Sequence, residues 1–341
     1  METTIISVDK SMDKQKSYQQ AVDLLESGGV VAFPTETVYG LGAIATNDEA
    51  VQKIFAAKGR PSDNPLIVHI GNIEEVERYA TGVTENAQKL MTAFWPGPLT
   101  LVFNKIPGVI AATVTPGVET VGIRMPNHPV ALELLRTLEA PLAAPSANRS
   151  GKPSPTEAIH VYDDLKGRIP LILDGGQTGV GVESTVIDMT TNPPTILRPG
   201  SITQEMIESV IGQVHAGGDS SDKEAPRSPG MKYPHYAPLA PLYIIPQDEG
   251  RLNAIVDQLH QEGKKVAVIG PNEWNGSTAD WYFAIGAKND LSAMAANLYG
   301  VLRKCDTTEA DVILAVETEP TGIGAAVMNR LMKAANGNRY A

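Results

Sequence analysis

The stretch AAKGRPSDNPLIVHI, residues 56–70, sets Lys58 and Arg60 at the end of a helix-patterned segment, then a loop carrying Ser62 and Asn64, then an apolar strand ending at His69 and Ile70. A lysine offers a compact point charge and an arginine a two-pronged fork, so the pair beside a hydroxyl and an amide is a set that can grip an anion. In a chain of formal net charge −11 such a corner stands out, and the anion it holds is expected to be local and small. Polar loops follow several other strand-like runs. FPTETVYGLG supplies Thr35, Thr37 and Tyr39; GIRMP supplies Arg124; APSANRSGKPSPT supplies Ser146, Asn148 and Ser154; GVESTVID supplies Ser184 and Thr185; LRPGSI supplies Arg198. Loops at strand ends are where open α/β sheets bind ligands. Taken singly, each has a plainer reading: Arg124 and Arg198 as surface ion pairs, the Ser/Asn/Pro/Gly clusters as turn chemistry, His69 as a core histidine. Their repetition after successive strands favours a site.

Other chemistry is poorly represented. No G-x-x-x-x-G-K-[ST], G-x-S-x-G or H-E-x-x-H is present. GLGAIA at 40–45 fits a dinucleotide fingerprint only if it opens a helix directly after a strand, and residues 34–39 intervene. GIGAAV at 322–327 does lie between strand and helix but has no acidic ribose partner downstream, so its glycines read as structural. The lone Cys305 removes disulfide frameworks and cysteine zinc knuckles and fits a reducing compartment. Residues 1–212 hold 16 Lys and Arg against 24 Asp and Glu, and the remainder 12 against 15, so neither part is a basic nucleic-acid glove. The start METTIISVDKSMDKQK is too polar for a secretory h-region and no apolar run approaches a membrane span, which places the expectation in the cytoplasm, with no membrane partner.

The elements that must position these loops follow from periodicity. Tyr18, Ala21, Val22 and Leu25 recur at helical spacing and stop at Gly28-Gly29, ahead of the strand 30–33. Thr46 to Glu49 has capping-box spacing before a helix that runs into Lys58-Gly59, followed by strand 66–70. Further strands are expected at 99–103, 120–124, 142–144, 171–173, 184–188 and 195–197, and helices at 84–94, 128–138, 156–164 and 203–211. From His215 to Pro241 five prolines and little periodicity read as a linker. Beyond it, strands at 242–245, 265–269, 281–285 and 312–316 alternate with helices at 248–261, 290–304 and 323–335. The chain is therefore divided into 1–212, a linker or active-site lid at 213–241, and a small doubly wound α/β domain at 242–341.

KGRPSDNPL, PTETVYGLG, APSANRSGKPSPT, GVESTVID and LRPG, in that order, resemble the YrdC-type domain of threonylcarbamoyl-AMP synthases; PGMKYPHYAP and the small α/β domain resemble the longer, two-domain form. The resemblance spans nearly the whole chain. It implies an α/β fold with a YrdC-like twisted open mixed sheet plus a smaller Rossmann-like C-terminal domain. It also implies a nucleotidyltransferase that converts L-threonine, bicarbonate and ATP to threonylcarbamoyl-AMP and pyrophosphate, for modification of tRNAs reading codons that begin with A. Carried over onto matching positions, Lys58, Arg60, Asn64, Thr120, Ser146, Ser154, Arg198 and Tyr236 would hold ATP, with Lys58 and Arg60 stabilising the departing pyrophosphate. Thr37, His69, Arg124, the backbone at Ala144, and Ser184 would hold threonine. Mg2+ is implied with ATP, with no protein ligand assigned. The implied partners are the tRNA threonylcarbamoyltransferase proteins that receive the product, with weak tRNA contact. Two rival readings remain: an RNA-binding module of the same fold, and a carbamoyl-phosphate-dependent enzyme forming carbamoyl-AMP.

Overall fold

The computed structural model describes residues 1–8, 13–217 and 236–340. The lid expectation falls largely on residues 218–235 and lies outside the described residues. Two compact units are present. The first takes in residues 1–150, 155–179 and 183–217; the second takes in 151–154, 180–182 and 236–340.

In chain order the first unit contains β1 (Thr4–Ser7), α1 (Lys14–Glu26), β2 (Val31–Phe33), β3 (Gly40–Ile44), α2 (Asp48–Lys58), β4 (Ile67–His69), α3 (Val76–Tyr79), β5 (Ala80–Thr81) and α4 (Glu85–Phe94). It continues with β6 (Leu99–Lys105), β7 (Thr120–Arg124), α5 (Pro129–Leu138), β8 (Leu142–Ala143), α6 (Ala158–Leu165), β9 (Leu171–Asp174), β10 (Thr185–Asp188), β11 (Thr195–Arg198), α7 (Gln204–Ile211) and β12 (His215–Ala216). The strands form one mixed sheet in the order β1-β9-β2-β3-β8-β4-β7-β6-β10-β11-β12, with β5 beside β6. β12, inside the stretch read as a linker, pairs in parallel with β11.

Period-two alternation sorts this sheet into two unlike faces. Leu41, Ala43, Val68, Leu99, Leu101, Ile123 and Ala143 are buried in one core with α2, α4, α6 and α7. On the other face α1 and α5 pack over Val31, Phe33, Leu142, Ala144, Leu171 and Leu173. Farther across, the alternate positions of this second face carry Gly40 and Gly42 on β3, His69 on β4, Thr120, Gly122 and Arg124 on β7, and Thr100 on β6, with Ile67 and Val102 as the apolar residues among them.

Local chemistry fixes the elements that carry the basic corner. The N-cap of α2 is Asn47, whose side chain accepts from the Ala50 N–H at 3.1 Å, and not Thr46 as the capping-box spacing suggested; an Asn side chain at that position reaches the third helical N–H. The helix ends at Gly59 in the left-handed region (φ 63°), with the Arg60 N–H turned back to the Phe55 carbonyl. GLGAI is a strand, β3, antiparallel to both β2 and β8, so it opens no helix and forms no pyrophosphate loop. Gly42 is required there because a Cβ would come within 2.8 Å of the Phe33 ring.

The second unit holds β13 (Leu242–Ile245), α8 (Glu249–Gln261), β14 (Val266–Gly270), β15 (Trp281–Ala284), α9 (Leu291–Cys305), β16 (Val312–Val316) and α10 (Ile323–Ala334). Its sheet is parallel throughout, in the order β13-β16-β14-β15. α8 packs on Val266, Val268, Val312 and Leu314, while Ile269 lies near Met294 of α9 and Val327 and Leu331 of α10 on the other side. Helices on both faces explain why these strands read as continuous apolar runs.

Candidate active site

The turn between β2 and β3 is organised by Thr35. Its hydroxyl donates to the Val38 carbonyl at 2.7 Å and accepts from the Thr37 and Val38 N–H groups. With that proton committed, Thr35 accepts from the Thr37 hydroxyl at 2.8 Å, which leaves Thr37 Oγ1 to accept from Arg124 Nη1 at 3.0 Å. Arg124 is 3% exposed; its Nε donates to the Gly97 carbonyl at 3.2 Å and its Nη2 lies 2.6 Å from Glu36 Oε1. His69 stands beside Arg124 in the β4–β7 register, edge-on to Phe33 with ring centroids 6.2 Å apart. Burial first, and the Arg124 charge second, push its pKa down to about 3, so the imidazole is neutral at physiological pH.

The β6–β7 register, continued by one pair, sets Thr100 opposite Arg124, and β10 runs parallel to β6 on the other side. Thr100 and Ser184 share a hydrogen bond at 2.8 Å. Arg198 grips the same residue, with Nε and Nη2 on the Ser184 carbonyl at 3.2 and 3.0 Å and Nη2 on Ser184 Oγ at 3.3 Å. Gly200 is required beside it, since a Cβ would fall 2.4 Å from the Thr185 nitrogen.

Lys58, in the last turn of α2, is 3% exposed. Its ammonium donates to the Ser146 and Asn148 carbonyls at 2.5 and 2.7 Å and reaches Asn148 Oδ1 at 3.4 Å. Ser146 Oγ donates to Asn148 Oδ1 at 2.6 Å, and Gly40 bridges to Ser146. The loop after β8 is thus tied to both α2 and β3, and Ala144 is held by its N–H on the Ile67 carbonyl at 3.0 Å. Arg60 lies over the Phe55 ring, 5.9 Å from its centroid. Asn64 is fully buried, yet neither end of its amide has a hydrogen-bond partner among the described residues.

Three groups therefore form: Thr37, His69 and Arg124; Ser184 and Arg198; Lys58 and Ser146. Thr120 shares the β7 face with Arg124 but stands four residues away, roughly 13 Å at strand rise. Ser154 and Tyr236 belong to the second unit; Ser154 is buried, and Tyr236, at φ 66°, stacks on Tyr299 with centroids 5.0 Å apart. Two residues escaped the sequence reading. Thr100 is the polar member of the run LTLVF, a signal that was present; Glu36 sits between the two threonines already singled out.

The family model described as "Telomere recombination" matches residues 23–200, and the one described as "Threonylcarbamoyl-AMP synthase, C-terminal domain" matches 202–336. A threonylcarbamoyl-AMP synthase of Bacillus subtilis is 52% identical over 93% of this chain and 92% of its own. The chain belongs to the threonylcarbamoyl-AMP synthase family. Another member, from Pyrococcus abyssi, is 48% identical over 97% of both chains. A solved structure described as P. abyssi Sua5 complexed with L-threonine superposes with a TM-score of 0.91 at 43% identity, covering 100% of each chain. The two-domain form of the family is thus present here, with the mixed sheet and the parallel sheet as its two architectures. Among the described residues no helix is long and apolar enough to cross a membrane, and no cluster of three or more His, Cys, Asp or Glu could hold a metal ion.

Proposed function

We propose that this chain condenses L-threonine, bicarbonate and ATP into threonylcarbamoyl-AMP, releasing pyrophosphate, in the cytoplasm. The product then passes to proteins that place the threonylcarbamoyl group on adenosine in tRNAs reading codons that begin with A, with any tRNA contact by this chain weak. The observation that carries the reading is the second face of the large sheet, where Arg124 and His69 stand side by side at one end, Thr120 and Ser146 lie toward the other, and Gly122 leaves room between Thr120 and Arg124. Such a floor suits two ligands laid end to end.

At one end Arg124 takes the threonine carboxylate, while Thr37, neutral His69, Ser184 and the backbone at Ala144 orient the amine and hydroxyl. Toward Thr120 and Ser146 lies the nucleotide, with Lys58, Arg60, Asn64 and Arg198 on its phosphates. The buried Asn64 amide supports this placement, because an orphaned polar group in a packed loop is costly unless a ligand satisfies it. The threonine ammonium gives its proton to bicarbonate, which leaves as carbon dioxide and water; the free amine adds to the carbon dioxide and releases a second proton to solvent; the resulting carbamate oxygen attacks the α-phosphorus, and the bond to pyrophosphate breaks. Two anions must be brought together, so cations and positioning carry most of the rate. The described residues offer no metal cage, so Mg2+ would enter on the ATP phosphates and screen their charge there.

The test is pyrophosphate release by the pure protein with ATP, bicarbonate and each amino acid in turn. Release that depends on threonine is expected. Release indifferent to the amino acid, or seen only with carbamoyl phosphate, overturns the reading.

A further inference from the structure

The partners of the Arg124 guanidinium are the Gly97 carbonyl, the Thr37 hydroxyl and the Glu36 carboxylate. The Glu36 side chain is only 12% exposed; Oε1 forms an ion pair with Arg124 Nη2, and neither carboxylate oxygen, both buried, accepts a hydrogen bond among the described residues. His69 beside them is neutral. A ligand that brought only a carboxylate to Arg124 would therefore place two negative charges against one positive in a buried site, which is strongly disfavoured. A zwitterion restores the balance. Its carboxylate shares Arg124, and its ammonium meets Glu36 Oε2.

We propose that Glu36 is the receptor for the α-ammonium of threonine, so that Glu36 and Arg124 together select an α-amino acid over a plain hydroxy acid. This rests on the reading of Arg124 as the threonine carboxylate site. Glu36 suits the role because Thr35 fixes the turn that presents it and Thr37, the next residue, already holds Arg124. The ion pair is preformed, and because both Glu36 oxygens are buried, the ammonium reaches Oε2 only as the Glu36 side chain turns toward it.

The test uses the full chain and two probes, L-threonine and (R)-3-hydroxybutanoate, which is threonine without its amino group. Affinities are measured by calorimetry for the wild type, Glu36→Gln and Glu36→Asp, with ATP binding and thermal melting as checks on folding. The wild type should prefer threonine by about 30-fold or more, and Glu36→Gln should cut that preference at least about tenfold, chiefly by weakening threonine, as loss of a charged hydrogen bond implies. If Glu36→Gln does not fold, Glu36→Asp carries the test, since drawing the charge back by one methylene should lower the preference about threefold. An unchanged ratio overturns the proposal in either variant. If both probes weaken equally, Glu36 only shapes the pocket; if both tighten, it only screens Arg124. Failure of the wild type to bind threonine at all is a different result and removes the underlying reading of Arg124.

Discussion

Replacing Lys58 with Met should cost both stability and activity, because the structure makes this lysine a tie as well as a charge. Its buried ammonium joins the end of α2 to the Ser146 and Asn148 carbonyls, and the Ser150 N–H returns to the Lys58 carbonyl at 3.0 Å. Methionine keeps most of the stem's volume and removes the donors. Each carbonyl left without its donor costs about 1–3 kcal/mol, partly offset because an ammonium no longer has to be desolvated, so a net loss of about 2–4 kcal/mol is expected. For a unit of this size that lowers Tm by roughly 4–16 °C. Loosening the loop also moves Ser146 and, on the proposed function, withdraws a cation from the phosphates, for a further loss in kcat/KM of about 30-fold to 1000-fold. Melting followed by circular dichroism and threonine-dependent pyrophosphate release at a temperature where both proteins are folded separate the two effects. Arg60→Met is the comparison: half-buried over Phe55, it should lose activity with the smaller change in melting. The reasoning is refuted if the Lys58 variant melts within about 2 °C of wild type, below the smallest shift these bonds imply.

The difference between that prediction and the bare motif shows where the sequence was legible. KGR announces two cations at the end of a helix, and TVGIR announces a strand with Val121 and Ile123 inside and Thr120, Gly122 and Arg124 on the other face; both are local patterns, and both survive in the structure. The four strands and three helices of the second unit fall within a residue or two of their expected bounds, because each apolar run must fill one buried strand between amphipathic helices. What could not be read is what a side chain faces. The partners of Lys58 lie 88 and 90 residues away, and Arg124 meets Glu36 and Thr37 across a similar separation. β3 was missed for a related reason: its glycines lower strand propensity, and only the Phe33 ring lying over Gly42 explains why they are there.

Four further outcomes are expected. Gly42→Ala should destabilise the protein by about 1–3 kcal/mol, measured by denaturant unfolding, because the new methyl meets the Phe33 ring and the Leu142 side chain in a packed interior. Thr100→Val, which preserves shape but removes the hydroxyl shared with Ser184, should raise KM for threonine several-fold while changing stability by less than about 1.5 kcal/mol; an unchanged KM would detach Ser184 from the substrate. Serine should turn over more slowly than threonine by about 1–3 kcal/mol in kcat/KM, since one missing methyl is all that distinguishes them; equal values would mean the pocket does not close on the side chain. The last concerns His69. Its pKa of about 3 in the folded protein lies below the ordinary value of 6.5, so the unfolded chain takes up a proton that the folded chain refuses. The contribution of neutral His69 is therefore complete above pH 6.5 and declines as pH falls, by up to about 1.4 kcal/mol per unit, until it is gone near pH 3. His69→Gln should flatten the stability profile over that window relative to wild type, and in the wild type the His69 ring proton shifts should stay constant from pH 8 to about pH 5 by NMR. A ring that titrates near 6.5 would mean the imidazole is open to water, and with it the pocket that Arg124 and Phe33 enclose.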